Sequence, residues 1–482
     1  MVVEGMAETP IDSDLTSPPL LVVIGGGPKA AALAAKARVL NELAKRNQLG
    51  KRIQIRVLEQ QSVLAGNWIG GCGFTTGLEA LCTPPEKDVG FPYNSAYGSD
   101  VDRLMLGNYS WHAYLILADK SLYSNWVDTD RWPPPHHRWA RYISNALSAP
   151  LIGPAPLASE LEEEDIVSVD LDTTVLAVEP ENGKVKITFS SKGKTDTLMA
   201  DGVVFTGPGE PNRIKDSPID AENLIFDSRS YWQSFSQFQK MVGGRVAVIG
   251  GGESAASVVV SLLPLTDSSG LEIDIINRHG TVFTRGESYH ENKWFSNPGT
   301  WAEMPEEDRE EIIKRTDRGV FSVNAQNQLK RASNVYIKSG HVFKLEKLGD
   351  QVKVLYTRKK IKKEEIRPED VRESVYDKVV VGLGFDPWTM LDLLPAEFRP
   401  SRKDEDADKV NYYTKLEREI DFNLRLKLND FPGMENTPFN IHAPVLSGLA
   451  QGPGFPSLCC LGHLSDRILL TYIDLSRKSR KN

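Results

Sequence analysis

The chain has 482 residues, of which 40% are hydrophobic and 25% are charged, the composition of a globular protein with two or three domains. Its formal net charge of -8 argues against nucleic acid or an anionic membrane surface as the main partner. The sequence also lacks a run of about eighteen apolar residues, so it predicts no transmembrane helix.

Residues 1–19 are acidic and polar, without the basic start and apolar core of a signal peptide, so we expect a disordered lead-in. The four cysteines include no Cys-x-x-Cys pair, and they predict neither a disulfide framework nor a metal site. The sequence therefore indicates a cytoplasmic protein without a metal ion.

The folded part begins with a predicted strand, a glycine turn and a helix. An apolar run starts at Leu20 and leads into three glycines and an Ala-rich stretch. Gly25, Gly27 and Ala30 fit a Gly-x-Gly-x-x-Ala fingerprint, in which the backbone approaches a pyrophosphate and free N–H groups stabilise its charge. The next strand ends on Glu59, a carboxylate suited to a ribose hydroxyl and repelled by a 2′-phosphate. This site predicts FAD.

The same pattern returns about 225 residues later. Gly250, Gly252 and Ala255 repeat the fingerprint, and Ser254 lies in the same turn. The strand that follows ends on Arg278 and has no acidic residue at its end. The Arg278 guanidinium suits a 2′-phosphate. The alternative for Arg278 is a solvated charge at a strand end. Two fingerprints that each open a helix are stronger evidence than one, and the second predicts NADPH.

Short predicted strands between residues 171 and 206, and two similar strand–glycine segments near 202 and 377, place the second unit inside the first. We therefore predict an α/β fold with two dinucleotide-binding, Rossmann-like domains and a small substrate-binding, C-terminal helical part. The expected boundaries are 20–212 for the first part of the FAD-binding domain, 213–372 for the inserted NADPH-binding domain, and 373–482 for the FAD-binding return with the substrate and C-terminal segment.

Several blocks carry a family resemblance that runs from Leu20 to about Leu470. They include GGGPKAAALAAKA, PPEKDVGFPYNSA, TRGESYHENKWFS and GLAQGPGFPSLCCLGHLSDRIL. Together they resemble the flavin-dependent N-hydroxylating monooxygenases of siderophore biosynthesis, and above all the L-lysine N6-monooxygenases of the mycobactin and nocobactin type. The resemblance implies FAD and NADPH as cofactors and L-lysine and O2 as substrates. It also implies that N6-hydroxylysine forms through a C4a-hydroperoxyflavin.

The resemblance implies four substrate-binding residues. Lys87 would pair with the carboxylate of the amino acid, and Asn292 would contact the amino acid from a segment beside the NADPH site. Asp317 stands where many relatives have an asparagine that binds the α-groups, and Ser465 lies near the start of the C-terminal helix. Ordinary alternatives stay open for each: a surface lysine, a turn or cap residue, an ion pair with a neighbouring arginine, and a helix N-cap.

At the flavin, the resemblance implies contacts from Asn67 and Trp68 in the GNW block. The chain departs from the broader family at two places. Lys-Ala-Ala follows Gly27-Pro28 where relatives have x-Asn-Leu, and Cys82 stands where a glutamine often faces the flavin. No catalytic acid or base is implied, because a dry pocket favours the neutral amine without one.

Other classes remain as alternatives. The substrate could be ornithine or a diamine, and the enzyme could be another class B flavin monooxygenase. A pyridine-nucleotide disulfide reductase needs a redox cysteine pair, which this chain lacks after the first glycine turn. A redox-sensing binding module would need only the two nucleotide sites. The periodicity does not decide between a monomer, a dimer and a tetramer.

Overall fold

The computed structural model describes residues 17–46, 52–71, 73–118, 120–151, 166–215, 217, 223–361, 365–398, 407–428 and 439–473. Residues 1–16 of the expected lead-in lie outside the described residues. Among the described residues, no helix is both long enough and apolar enough to cross a bilayer. The same residues include no group of three His, Cys, Asp or Glu side chains placed to hold a metal ion.

The strands are short, and ten of the twenty described strands belong to two five-stranded sheets. In chain order they are β1 (Leu20–Ile24), β2 (Gln54–Leu58), β3 (Val167–Asp170), β4 (Thr173–Glu181), β5 (Lys184–Ser191), β6 (Lys194–Ala200), β7 (Gly202–Phe205), β8 (Glu210–Pro211), β9 (Ile225–Asp227), β10 (Arg245–Ile249), β11 (Glu272–Asn277), β12 (Phe283–Thr284), β13 (Val320–Phe321), β14 (Val335–Ser339), β15 (His341–Leu348), β16 (Gln351–Thr357), β17 (Val371–Tyr376), β18 (Lys378–Val381), β19 (Phe385–Asp386) and β20 (Ile441–His442).

The helices surround these sheets. They are α1 (Pro28–Lys45), α2 (Gly66–Ile69), α3 (Ser99–Tyr109), α4 (Trp111–Ala118), α5 (Lys120–Asp128), α6 (His136–Ser148), α7 (Ser230–Gln233), α8 (Phe235–Gln239), α9 (Glu253–Ser269), α10 (Tyr289–Ser296), α11 (Glu306–Thr316), α12 (Val323–Leu329), α13 (Ala407–Glu419), α14 (Gly448–Gln451) and α15 (Leu461–Leu469).

The first sheet has the order β20-β7-β1-β2-β3, and all of its pairs are parallel. Val23 in β1 pairs with Val57 on one side and Val204 on the other, and all three are fully buried. α1 follows β1 directly, with Pro28 at its start, where the missing N–H costs nothing. Because both faces are covered, the strands are continuous apolar runs.

The second sheet repeats this design with the order β14-β11-β10-β18-β9, again with parallel pairs. β10 occupies the place that β1 has in the first sheet, and α9 follows it as α1 follows β1. Two antiparallel three-stranded sheets, β4-β5-β6 and β15-β16-β17, flank the two units. The predicted α/β class with two dinucleotide-binding units is therefore confirmed.

The chain leaves the first unit and returns to it through one two-stranded ribbon. β8 and β19 pair antiparallel, with Phe385 opposite Pro211. The expected boundary at residue 372 is corrected by the strand pairing, because it falls inside β17, and β18 beyond it pairs with β10 in the second sheet. The strand that closes a crossover belongs to the sheet it completes, so the second unit extends at least to Val381.

α15 joins the C-terminal part to the first unit. Lys36 in α1 forms an ion pair with Asp466 in α15, with Nζ 2.7 Å from Oδ1 and both side chains buried. Asp466 also accepts hydrogen bonds from the Ser95 hydroxyl at 2.9 Å and the Ala96 N–H at 3.0 Å. The carboxylate is thus satisfied on every side, as a buried charge requires.

Candidate cofactor and substrate sites

The first glycine turn brings the backbone close to the crossover strand. Gly25 has a φ of 103°, and a Cβ added there would lie 2.5 Å from Thr206 Oγ1. Gly27 is the extended N-cap of α1, and no side chain caps this helix. A Cβ added at Gly27 would meet no described atom within 4 Å. The turn therefore leaves open space in front of a helix start, and Ala30 is fully buried behind it.

Glu59 lies at the end of β2 and supports this turn. Its Oε2 accepts the Gly26 N–H at 2.6 Å, and its Oε1 accepts the Gln61 N–H at 2.8 Å. A carboxylate offers about four lone-pair positions, so it can still accept bonds from a ribose. The residue is only 8% exposed, which keeps these bonds away from bulk water.

Asn67 and Trp68 lie in α2, beyond the first turn. Asn67 Oδ1 accepts a hydrogen bond from Gln61 Nε2 at 3.1 Å. The Trp68 ring packs edge-to-face on Phe74 and on His136, with centroids 5.2 Å and 5.0 Å apart. Burial lowers the pKa of His136 to about 4, so this aromatic cluster is uncharged at neutral pH.

The second glycine turn is built in the same way. Gly250 has a φ of 145°, and a Cβ added there would collide with the carbonyl oxygen of Gly382. Gly252 is the extended N-cap of α9, again without a side-chain cap. Ala255 is fully buried, and a Cβ added at Gly382 would lie 2.9 Å from its Cα. This close helix–strand contact is the role of the last fingerprint position.

Ser254 and Arg278 lie at the open side of the second turn. Ser254 Oγ would be 3.6 Å from a Cβ added at Gly384. Arg278 is exposed after β11 and forms no ion pair with a carboxylate of the described residues. The pKa of His341 is lowered, first by burial and then by the positive charges of Arg278, His279 and Lys360. Positive charge thus gathers at this strand end, as a 2′-phosphate requires.

A polar group beside the second turn was not predicted from the sequence. Glu253 is the first residue of α9, and burial raises the pKa of its carboxyl to about 7, although the Arg285 guanidinium lowers it. Its Oε1 is buried without a hydrogen-bond partner among the described atoms. Asp317 lies on the other side of Arg285, with Oδ1 4.0 Å from a guanidinium nitrogen, and 3.9 Å from Arg318 Nε. The residue that could have indicated this polar group in the sequence is Glu253, the glutamate directly after Gly252.

Lys87 lies in a tight turn and is half-buried. Its N–H bonds to the Pro84 carbonyl at 2.9 Å, and its Nζ lies 6.0 Å from the Phe91 ring centroid. No carboxylate of the described residues is within ion-pair distance of this ammonium. The adjacent Asp88 is buried, and its carboxylate accepts the Trp111 N–H at 2.8 Å. That contact fixes the turn that presents Lys87.

Asn292 lies in α10 and takes part in the helix start. Ser288 and Glu291 form a capping box, and Asn292 Nδ2 donates to the Glu287 carbonyl at 2.8 Å. Glu291 also forms an ion pair with Arg315 at 2.7 Å. Ser288, Glu291 and Asn292 therefore hold the helix start in place, and the Asn292 side-chain oxygen is left as an acceptor.

Ser465 is placed differently from the expectation. α15 begins at Leu461 with Cys460 as its N-cap, so Ser465 lies in the second turn and not at the helix start. It is fully buried, and its hydroxyl donates to the Gly462 carbonyl at 3.0 Å. The N-cap interpretation is therefore wrong.

The loop before α15 brings the substrate candidates toward one region. A Cβ added at Gly454 would collide with the Phe295 carbonyl of α10, and the Gly462 N–H bonds to the Phe91 carbonyl at 2.7 Å. The helix with Asn292 therefore packs on the loop before α15, and the turn with Lys87 packs on the start of α15 itself. Asp317 lies beside Arg285, whose guanidinium is 5.7 Å from the ring centroid of Phe295 in α10.

Both glycine turns fit a dinucleotide. Each one ends in an extended glycine followed by a helix of at least 17 residues without a side-chain cap. Such a helix start has free N–H groups and a partial positive charge that bind a pyrophosphate. The acceptor at Glu59 and the cations around Arg278 distinguish the two sites.

Comparisons with known proteins agree with this arrangement. A family model described as L-lysine 6-monooxygenase/L-ornithine 5-monooxygenase matches residues 158–387. The L-lysine N6-monooxygenase MbtG of Mycobacterium tuberculosis is 33% identical over 466 residues, which cover 94% of each chain. The lysine monooxygenase NbtG from Nocardia farcinica has a solved structure with a TM-score of 0.69 at 29% identity, covering 93% of this chain and 99% of that one. The ornithine N-hydroxylase KtzI of Kutzneria sp. 744 shares the fold, with a TM-score of 0.69 at 17% identity and coverage of 96% and 100%.

Proposed function

The chain belongs to the L-lysine 6-monooxygenase/L-ornithine 5-monooxygenase family, and we propose that it hydroxylates the side-chain amine of L-lysine to N6-hydroxylysine. The predicted family resemblance is confirmed, and the chain is a monooxygenase. The choice of L-lysine rests on the 33% identity over 94% of the chain to L-lysine N6-monooxygenases. The product would supply hydroxamate siderophore biosynthesis.

FAD and NADPH are the proposed cofactors, and the pair of glycine turns is the observation that carries this proposal. Glu59 and the start of α1 would hold the adenosine and pyrophosphate of FAD. Arg278 and the start of α9 would hold those of NADPH. When bound, FAD activates O2 and NADPH supplies the two electrons that reduce the second oxygen atom to water.

Lys87 is the proposed partner of the substrate carboxylate. Its half-buried ammonium has no carboxylate partner among the described residues, and the Phe91 ring centroid lies 6.0 Å from it. An α-carboxylate would complete this site with a charge-assisted hydrogen bond. Binding of the substrate's α-carboxylate at Lys87 selects substrates whose side chain is long enough for the amine to reach the flavin.

Asn292 and Asp317 are proposed as further contacts to the amino acid. Asn292 can accept through its side-chain oxygen because its amide nitrogen is already bonded to Glu287. Asp317 would accept from the α-ammonium, since its two arginine contacts are long, at 3.9 Å and 4.0 Å. Ser465 is fully buried, so it enters the proposal only as a residue that supports α15.

The reacting amine must be neutral, although a free ε-ammonium has a pKa of about 10.4. Removal from water favours the neutral form of the amine. A pocket that excludes water therefore needs no dedicated base to deprotonate the ε-ammonium. The aromatic row of Trp68, Phe74 and Phe385 is placed to exclude water, with Phe74 and Phe385 centroids 6.0 Å apart. This row joins the first unit to the ribbon between the two units.

The experiment gives the purified protein FAD, NADPH and O2 with L-lysine, L-ornithine or cadaverine in separate reactions. Hydroxylated amine is measured by mass spectrometry beside hydrogen peroxide. We expect product from L-lysine, and Lys87→Ala should raise KM for L-lysine about tenfold to a hundredfold because a charge-assisted bond is lost. Lys87→Arg is the control that keeps the charge.

Product from L-ornithine or cadaverine alone would overturn the substrate. Peroxide without product from any of the three amines would overturn the proposed reaction. The cytoplasmic location stays a prediction from the sequence, and the choice between oligomeric states stays open.

A further inference from the structure

Two lysines of α1 lie on the same face of the helix but have different partners. Lys29 and Lys36 are seven residues apart, which is two helical turns. Lys36 is paired with Asp466 at 2.7 Å. Lys29 Nζ instead donates to the Pro456 carbonyl at 2.9 Å, in the loop before α15. Both lysines of α1 thus contact the C-terminal segment. Among the described residues, Lys36 pairs with a carboxylate there, whereas Lys29 contacts a carbonyl.

The Lys29 ammonium is a half-buried cation that forms no ion pair with a carboxylate of the described residues. Burial lowers the pKa of Lys29 to about 8, and none of the described carboxylates forms an ion pair with it. An ammonium has three donors, and the Pro456 carbonyl takes one of them. Lys29 is half-buried, and a charge that is partly removed from water is costly unless it is paired, so this position favours a negative group from outside the protein.

The thiol nearest to this region does not supply that negative charge. Burial raises the pKa of Cys460, so the thiol stays neutral at physiological pH even though Arg467, Lys29 and Lys87 all favour its ionised form. Arg467 is already bonded to Gln451 Oε1 at 2.8 Å. Positive charge therefore remains in excess between the start of α1 and the loop before α15.

We propose that Lys29 binds an anionic oxygen of FAD, an inference that rests on the proposed function. Lys29 is the second residue of α1, directly after the open glycine turn, and the start of α1 has no side-chain cap. If the partner is the pyrophosphate, the Lys29 ammonium and the free N–H groups of the helix start act on the same anion. The anionic oxygen belongs either to the pyrophosphate or to the pyrimidine edge of the reduced ring.

Lys29 lies in a segment where the chain departs from the pattern of the broader family. Where the broader family has Gly-Pro-x-Asn-Leu, this chain has Gly-Pro-Lys-Ala-Ala. The lysine at the variable position supplies charge and three donors, while Ala30 behind it is buried and offers no polar side chain. The chain therefore has a charged donor at residue 29 and no polar side chain at residue 30.

The test compares Lys29→Met, Lys29→Arg and Lys45→Met. Lys45 is exposed in the last turn of the same helix and controls for the loss of one positive charge. FAD is removed, and its affinity for each apoprotein is measured by quenching of flavin fluorescence. We expect Lys29→Met to weaken FAD binding at least about tenfold, Lys29→Arg to restore most of it, and Lys45→Met to match the parent.

The midpoint potential of bound FAD separates the two sources of the anion. If the pyrophosphate is the partner, Lys29→Met weakens the binding of oxidised and reduced FAD alike, and the midpoint potential is unchanged. If the reduced ring is the partner, a tenfold selective loss of reduced FAD lowers the two-electron potential by about 30 mV. Either result supports the proposal.

A Lys29→Met protein with parental thermal stability, FAD affinity and potential would overturn the proposal. So would a change confined to KM for L-lysine, because the ammonium would then serve the substrate. If Lys29→Met does not fold, Lys29→Gln keeps a donor for Pro456 and is judged by the same measurements. Failure of the parent protein to bind FAD would instead overturn the proposed function.

Discussion

The two dinucleotide-binding units have the same turn but different strand ends. Both turns place a glycine with positive φ against the crossover strand and begin a helix without a side-chain cap. In the first unit, Glu59 reaches back to bond the turn itself. In the second, Asn277 accepts the N–H groups of its own following residues at 2.9 Å and leaves Arg278 exposed. The turn therefore creates a pyrophosphate site, and the strand end determines which nucleotide it suits.

The units also differ in how they are held together. The first sheet contains β20 from far along the chain, and α1 is fixed to α15 by the ion pair of Lys36 with Asp466. The second sheet is built from one stretch between Ile225 and Val381. The first unit is therefore completed only by segments from distant parts of the chain, whereas the second sheet is completed within one continuous stretch.

The largest expected effect comes from breaking the buried ion pair. Lys36→Met leaves Asp466 charged and buried, so the free energy of unfolding should fall by about 4 kcal/mol. Urea denaturation measures this loss. The double variant Lys36→Met with Asp466→Leu should recover most of it, because apolar groups of similar size often replace a buried pair without loss. A stable single variant would contradict the difference between the units.

The glycine turns should tolerate a methyl group unequally. Gly250→Ala should cost about 3 kcal/mol, since its positive φ is strained and its Cβ meets the Gly382 backbone. Gly25→Ala meets the Thr206 hydroxyl, so Thr206→Ala should relieve part of its cost. Thermal denaturation and nucleotide binding check both variants. Equal tolerance at the two glycines would contradict the proposed difference.

Acid should destabilise the first unit through His442. This residue is fully buried, with Nδ1 2.8 Å from the Asn423 carbonyl and Nε2 2.9 Å from the Tyr472 hydroxyl, and burial lowers its pKa to about 4. The unfolded chain binds this proton near pH 6.5, so the stabilising contribution is present above that pH and is lost as pH falls toward 4. Between pH 7 and pH 5 the loss should be about 2 kcal/mol.

Denaturation at a series of pH values measures this dependence. His442→Asn should reduce the slope with pH by about one proton, whereas the exposed His290→Gln should leave it unchanged. A parental slope in His442→Asn would show that this histidine does not titrate on unfolding.

The smallest expected effect is a change of nucleotide preference. Arg278→Ala should raise KM for NADPH about tenfold and leave KM for NADH unchanged, because only the 2′-phosphate loses its partner. Arg331→Ala, an exposed arginine of the same unit, is the matched control. A rise for both nucleotides would place Arg278 at a part of the cofactor that they share.

The features that could be predicted from the sequence are those whose residues lie close together in the chain. The glycines, the following helices and the strand ends at Glu59 and Arg278 lie where the pattern places them. The contacts of Lys29 with Pro456 and of Lys36 with Asp466 join residues 427 and 430 positions apart, and no local pattern encodes such pairs. The roles of the predicted substrate residues remain predictions.

Two local expectations were wrong for a physical reason. The start of α15 was placed at Ser465 because serine favours the N-cap, but the helix begins after Cys460, which forms no side-chain cap bond. The boundary at residue 372 assigned the strand–glycine segment near 377 to the first unit. Pairing of β18 with β10 depends on a strand about 130 residues earlier, and this pairing overrides the local change in composition.

The contact between Lys36 and Asp466 has a consequence for synthesis on the ribosome. The lysine is translated 430 residues before its partner, so the first unit is incomplete until α15 has left the exit tunnel. The second unit contains all of its strands by Val381 and can form while the first still waits. Nascent chains should therefore carry a folded NADPH-binding unit inside an unfinished FAD-binding one, with the apolar face of α1 exposed to chaperones.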